Sequence, residues 1–234
     1  MKRSDDRRWW VVRVLLVLIT CHLPLITASA QEEPEYKLEI GAGAGTVTYL
    51  GDFNGGLLQG VQPWGAVVAK YKMNPRMAVG VTLGYGRIKG SSDNVDTWYP
   101  QARYEFGTKM VNATMRYEYN FWPFGTGREY RGARRLTPFV AIGLGAIYHG
   151  GPKKGIAATL PLGVGIKYKI GDRLNLAAEW GMQFTTSDKL DGMTDPYGIK
   201  SSGIFKNTDC LSILQVAVTY DLWAKCKTCN NDRY

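Results

Sequence analysis

The chain has 234 residues, a formal net charge of +9, 45% hydrophobic residues, 12% aromatics and 28 glycines. That hydrophobic content excludes a disordered chain, and the lack of a glycine period of three excludes collagen. With no long apolar run after residue 30, a helical membrane protein is excluded as well, and the glycine and aromatic content leans towards strands.

Residues 1–30 read as a secretory signal peptide. Lys2, Arg3, Arg7 and Arg8 form a charged start, Val14–Ile19 an apolar run, and Ala28-Ser29-Ala30 a small-x-small cleavage site. Arg13, His22 and Pro24 make the apolar run too short and too polar to span a bilayer. Removing the segment takes five basic and two acidic residues, so the charge falls from +9 to +6 over the remaining 204 residues. The expected plan is a signal peptide at 1–30, one barrel domain at 31–224 and a short tail at 225–234. An exported chain with so modest an excess of charge points away from nucleic acid. Cys21 lies in the signal segment, and Leu18–Cys21 is a poor lipoprotein box. Cys210, Cys226 and Cys229 remain, an odd number for an oxidising compartment, so at least one is unpaired or intermolecular.

The rest of the chain alternates with a period of two. A first strand, Tyr36–Tyr49, sets Leu38, Ile40, Ala42 and Ala44 against Lys37, Glu39, Gly41, Gly43 and Gly45. A second, Pro63–Lys72, sets Val67, Ala69 and Tyr71 against Lys70 and Lys72. The tight turn Met73–Arg76 follows, since Pro75 fixes its φ and cannot donate to a ladder. Met77–Gly86 alternates Val79, Val81, Leu83 and Tyr85 with glycine and threonine. Residues 104–121 set Val111, Ala113, Met115, Tyr117 and Tyr119 against Asn112, Thr114, Arg116, Glu118 and Asn120. Then come Thr137–Tyr148, Ile156–Ile170, Leu174–Thr185 and Leu211–Leu222, each with the same two faces.

Eight such strands make a soluble barrel or a membrane barrel, and the faces decide. The polar face is mostly glycine and alanine with a few charges of both signs, as suits a narrow lumen. The apolar face carries aromatics near strand ends, as an interfacial girdle requires. Connections at 50–62, 87–103 and 186–210 are long, whereas 73–76 and 171–173 are tight. The expected fold is therefore all-β: an eight-stranded antiparallel transmembrane β-barrel in the outer membrane of a Gram-negative bacterium, with periplasmic termini. Gln215–Leu222 resembles the C-terminal recognition strand of such barrels, with Ala217 where glycine is usual.

Candidate chemistry is sparse. The glycine pairs lack a full dinucleotide fingerprint and a following helix, so lumen packing explains them. His149, the one histidine left after cleavage, reads as a surface residue at a loop edge; a lipid hydrolase would need it as a base. No metal-ligand set, cofactor site or small-molecule substrate is expected. Cys226-Lys-Thr-Cys229 has the spacing of a redox or zinc half-site without its second half, and reads as a local disulfide or a point of attachment. Arg128, Arg131, Arg134 and Arg135 fall in the connection 122–136, on the periplasmic side by strand order. They would anchor on lipid phosphates or recognise an acidic partner, or else form a solvated basic loop. Lys37, Glu39, Arg116, Glu118, Lys167 and Glu179 are expected to form a mixed-sign network that closes the lumen.

Thr48–Asp52, Asn74–Ala78 leading to Tyr85-Gly86, Glu118–Phe121, Thr137–Gly145 and Leu160–Lys169, in that order, resemble the PorG-like outer-membrane barrels of the Bacteroidota type IX secretion system. The resemblance spans about residues 36–223. It implies a non-enzymatic role: tethering a periplasmic ring made by a PorK-like lipoprotein and a PorN-like protein, in machinery that exports cargo bearing a C-terminal sorting domain. The rival readings are a generic small barrel of adhesin or membrane-stabilising kind, and a barrel enzyme dependent on His149.

Overall fold

The computed structural model describes residues 35–51, 53–94, 104–126, 132–150, 154–186, 190 and 209–224. Eight strands follow in chain order: β1 (Tyr36–Leu50), β2 (Gln62–Asn74), β3 (Met77–Ser91), β4 (Glu105–Asn120), β5 (Leu136–His149), β6 (Gly155–Lys169), β7 (Leu174–Thr185) and β8 (Cys210–Ala224). Each pairs antiparallel with its sequence neighbours, and β1 closes on β8, with Leu38 opposite Leu222 and Leu50 opposite Cys210. The strands run 12 to 16 residues, longer than the roughly 9–11 that cross a bilayer core. They therefore project beyond it.

Alternation sorts the side chains as the sequence predicts. Met115 and Leu144 point outward with 60% and 72% exposure, as do Val67, Leu83, Val164 and Val216. Lys70, Glu118, Lys167, Asn175 and Asp221 point inward and are buried. A closed ladder with polar groups inside and hydrocarbon outside leaves no unpaired strand edge and presents only apolar atoms to lipid. The protein is a barrel of outer-membrane type. Tyr71, Tyr168 and Trp223 stand within three residues of their strand ends at the short-turn end, joined by Phe121 and Trp122 just past β4; all are exposed.

Towards the long-loop end this polarity reverses. β3 does not stop at Gly86 but runs on to Ser91. Beyond Tyr85 its outward residues are Arg87 and Lys89, while Ile88 points inward and is fully buried. β4 behaves likewise, with Lys109 and Glu105 outward and Met110 and Phe106 inward. An apolar cluster of Val47, Tyr49, Phe53, Ile88, Phe106, Met110, Ile147 and Leu211 fills this part of the interior. The chain is inside-out where it faces lipid and conventionally packed where it emerges. A uniform alternation rule ends β3 too early because it looks for apolar residues on one face only.

Candidate functional site

The lumen in the short-turn half is a network of ion pairs. Glu118 on β4 accepts from Lys70 Nζ of β2 at 2.8 Å and from Lys167 Nζ of β6. Asp221 on β8 accepts from Lys72 Nζ of β2 and Lys169 Nζ of β6, each at 2.5 Å. β2 and β6 lie four places apart in a ring of eight, so each carboxylate ties together opposite walls of the barrel. Lys72 also reaches Glu39 at 3.1 Å, whose other oxygen accepts from Thr219 Oγ1 at 2.5 Å. Asn175 Nδ2 donates to Asp221 at 2.9 Å. Nearer mid-barrel, Arg116 pairs with Glu179, which also accepts from Gln215 Nε2 at 3.4 Å. Buried charges persist only when they are paired and hydrogen-bonded in this way.

Five of the six expected lumen charges are in this network. Lys37 is half-buried and joins no ion pair among the described residues. Lys70, Lys72, Lys169 and Asp221 join the network beyond the expected set, and each alternates with apolar neighbours along its strand. That shared polar face was the signal, and their partners lie on strands distant in sequence. The inward glycines make room for the long side chains, as expected. A methyl group on Gly163 would sit 2.7 Å from Glu179 Oε1 and 3.4 Å from Arg116 Nη1. One void in the lumen, bordered by Asn112, Thr114, Glu179 and Gln183, holds about 20 Å³. That is room for one water, which the partnerless Oδ1 of Asn112 is placed to bind.

Both mouths are stopped by a phenylalanine from a connection. At the long-loop end, Phe53 is fully buried against Tyr104 and Phe106, with ring centroids 4.9 and 6.0 Å away. Asn54 holds its loop in place, donating to the carbonyls of Tyr49 and Gln59 at 2.6 and 2.7 Å. At the other end Phe124, from the connection after β4, is 7% exposed. The Nζ atoms of Lys72, Lys167 and Lys169 lie 5.6–5.8 Å from its ring centre. Among the described residues the ion-pair network holds five cations and four carboxylates. The faces of Phe124 and of Phe139, the latter 4.8 Å from Lys167, offer the surplus charge a quadrupole partner. The network does not close the lumen alone: two aromatic stoppers and an apolar cluster complete the seal.

The connection carrying the arginine candidates is a folded strap in its described parts. Phe124 N donates to Pro75 O at 3.0 Å, Arg134 N to Pro123 O at 2.7 Å, and Thr126 Oγ1 to Glu35 Oε1 at 2.7 Å. Arg134 and Arg135 are exposed. The Arg134 guanidinium stacks 4.9 Å from the Trp122 ring centre, and Arg135 Nε donates to Thr126 O at 2.9 Å. Arg76 Nη1, from the β2–β3 turn, reaches Phe121 O at 3.1 Å. Arg173, in the β6–β7 turn, donates to the hydroxyl oxygens of Tyr220 and Tyr36, which holds its proton still more firmly. Arg128, Arg131, Cys226 and Cys229 lie outside the described residues. Cys210 is half-buried and free of any disulfide among the described residues.

His149 is not a surface residue. It is 2% exposed, on the inward face of β5 with Ile147, and its Nδ1 has no hydrogen-bond partner. The period of two places residue 149 inside with Ile147 and Phe139, although a loop begins at the next residue. Among the described residues no group of three or more His, Cys, Asp or Glu side chains is arranged to hold a metal ion.

A family model described as Domain of unknown function (DUF6089) matches residues 13–231. No curated protein matches the chain. Among solved structures the barrel is similar to Neisserial surface protein A, at 13% identity and a TM-score of 0.48, covering 79% of this chain and 97% of that one. It is also similar to the outer membrane protein OprG from Pseudomonas aeruginosa, at 11% identity and a TM-score of 0.49, covering 83% and 99%. The attachment invasion locus protein Ail of Yersinia pestis is similar at 12% identity and a TM-score of 0.43, covering 81% and 99%.

Proposed function

The chain belongs to the DUF6089 family, and we propose that it is a non-catalytic outer-membrane barrel whose periplasmic face anchors a protein ring of the type IX secretion machinery. The observation that carries this reading is the seal. Phe53 and Phe124 are buried in opposite mouths and paired charges fill the space between them, so the described lumen is a packed interior rather than an open channel. The work must be done by the rims. The short-turn rim is ordered by its strap, and it displays Arg134 and Arg135 without a carboxylate partner among the described residues. The sequence motifs that resemble PorG-like barrels support the identity of the partner: a PorK-like lipoprotein and a PorN-like ring protein. Arg128, Arg131, Cys226 and Cys229 belong to the same proposed contact region.

The experiment is a crosslinked pull-down from detergent-solubilised outer membranes, with a tag inserted between residues 95 and 103. Recovery of a ring-forming lipoprotein with its partner is expected, and loss of sorting-domain cargo export on deletion should accompany it. A barrel recovered alone would overturn the anchor.

One observation favours a second reading, a generic barrel working through its outer loops. Leu58, in the loop after β1, is 89% exposed, beside a half-exposed Leu57. Outer-surface proteins, rather than periplasmic ones, would then dominate the same pull-down.

A further inference from the structure

Just beyond the lipid-facing band, at the long-loop end, β3 and β4 place like charges directly opposite one another. Arg87 of β3 is the register partner of Lys109 of β4, and Lys89 follows two residues on, opposite Gly107. All three basic side chains are exposed and on the outward face. Directly opposite residues on one face have Cβ atoms about 4.5–5.5 Å apart, and like charges there repel. None of the three forms a salt bridge among the described residues. The nearest outward carboxylate along β4, Glu105, is paired in register with Ser91 rather than with a base.

The floor between them is bare. A methyl group added at Gly107 would meet only Lys89 Cγ, at 3.8 Å. Three cations thus border an open glycine notch, an arrangement that costs stability unless an anion occupies it. One register step towards mid-barrel, the same face shows Tyr85 opposite Val111, and Val111 opposite Tyr148 on β5, all exposed. The notch therefore opens sideways, at the level where hydrocarbon gives way to headgroups. A ligand that reaches it carries its anion at the top of an acyl chain. Arginine presents a planar fork that matches phosphate, and lysine adds point charge.

We propose that Arg87, Lys89 and Lys109 bind a phosphate of lipid A in the outer leaflet. The proposal rests on the outer-membrane reading with the long loops outward. It is independent of the ring partner.

The test uses the full mature chain, folded in vesicles of phosphatidylcholine with or without diphosphorylated lipid A. Native mass spectrometry after mild extraction then reads lipid retention against dephosphorylated lipid A. Expected is a preference of about tenfold or more for the phosphorylated form, lost in Arg87→Gln/Lys109→Gln and kept in Lys154→Gln, an exposed base just before β6. Gel mobility with and without boiling verifies that each variant is folded. Equal retention of the two lipid forms, or a preference that survives in the Arg87/Lys109 variant, would overturn the site. Displacement of lipid A by millimolar inorganic phosphate alone would reassign the notch to a soluble anion. A wild-type chain that folds in detergent yet fails to enter vesicles would remove the outer-membrane reading, and the lipid site with it. Insertion without a lipid A preference removes only the site.

Discussion

Phe53 and Phe124 close opposite ends of the same lumen, one from the connection after β1 and the other from the connection after β4, and both are buried. Their surroundings differ. Phe53 packs in an apolar cluster, whereas Phe124 rests on lysine ammonium groups.

The difference separates their mutants. Phe53→Ala leaves a cavity among aromatics and should destabilise the barrel by about 3–5 kcal/mol. Phe124→Ala also uncovers Lys72, Lys167 and Lys169 to water, which eases their desolvation, and its penalty should be smaller, about 1–3 kcal/mol. Urea unfolding in lipid vesicles, followed by tryptophan fluorescence, gives the order; a larger effect at Phe124 would contradict this account.

Glu118 is shared by Lys70 and Lys167. Glu118→Gln strands two buried ammonium groups on opposite walls and should cost about 3–5 kcal/mol. Adding Lys167→Met removes one stranded charge and should restore part of the loss. If the double variant were less stable than the single, Glu118 would not be acting as their counter-ion.

Gly65 and Gly163 face opposite ways and should respond oppositely to valine. No atom lies within 4 Å of a methyl group built on Gly65, which points to lipid. Gly65→Val should be neutral or mildly stabilising. Gly163→Val intrudes on the Arg116–Glu179 pair and should cost about 1–3 kcal/mol. Folding yields into vesicles and urea midpoints of the two variants check this.

His149→Leu replaces a buried ring whose Nδ1 is unpartnered with an apolar side chain. Removing an unsatisfied polar group is close to neutral or stabilising, so the unfolding midpoint should stay level or rise. A clear fall would mean that the imidazole holds a partner, such as a bound water.

Eight strands, their faces and their order were legible in the sequence, because each face of a bilayer-spanning strand meets one solvent throughout. Alternation at Val111–Tyr119 or Leu174–Phe184 reports that directly. What escaped were features set by neighbours far along the chain. Lys70 and Lys167 share Glu118 only because β2, β4 and β6 surround one lumen, and nothing near Phe124 in sequence shows that its ring will fold into the mouth. The extra length of β3 escaped for a different reason. Its outer residues change from Tyr85 to Arg87 where the surroundings change from hydrocarbon to water, so one pattern gives way to its inverse. Among the arginine candidates, local composition identified Arg134 and Arg135 as exposed base, but not the Trp122 face that orients the first of them.

The seam between β1 and β8 joins the two strands most distant in sequence, over most of their length. Until it forms, each carries a row of amide and carbonyl groups that hydrocarbon cannot satisfy. The barrel cannot enter lipid gradually, strand by strand, with an open edge. Contact order is therefore high, and closure is the slow and committing event. Before closure, the free edges of β1 and β8 can be satisfied only by water or by each other, so entry into lipid and closure of the seam are one coupled event.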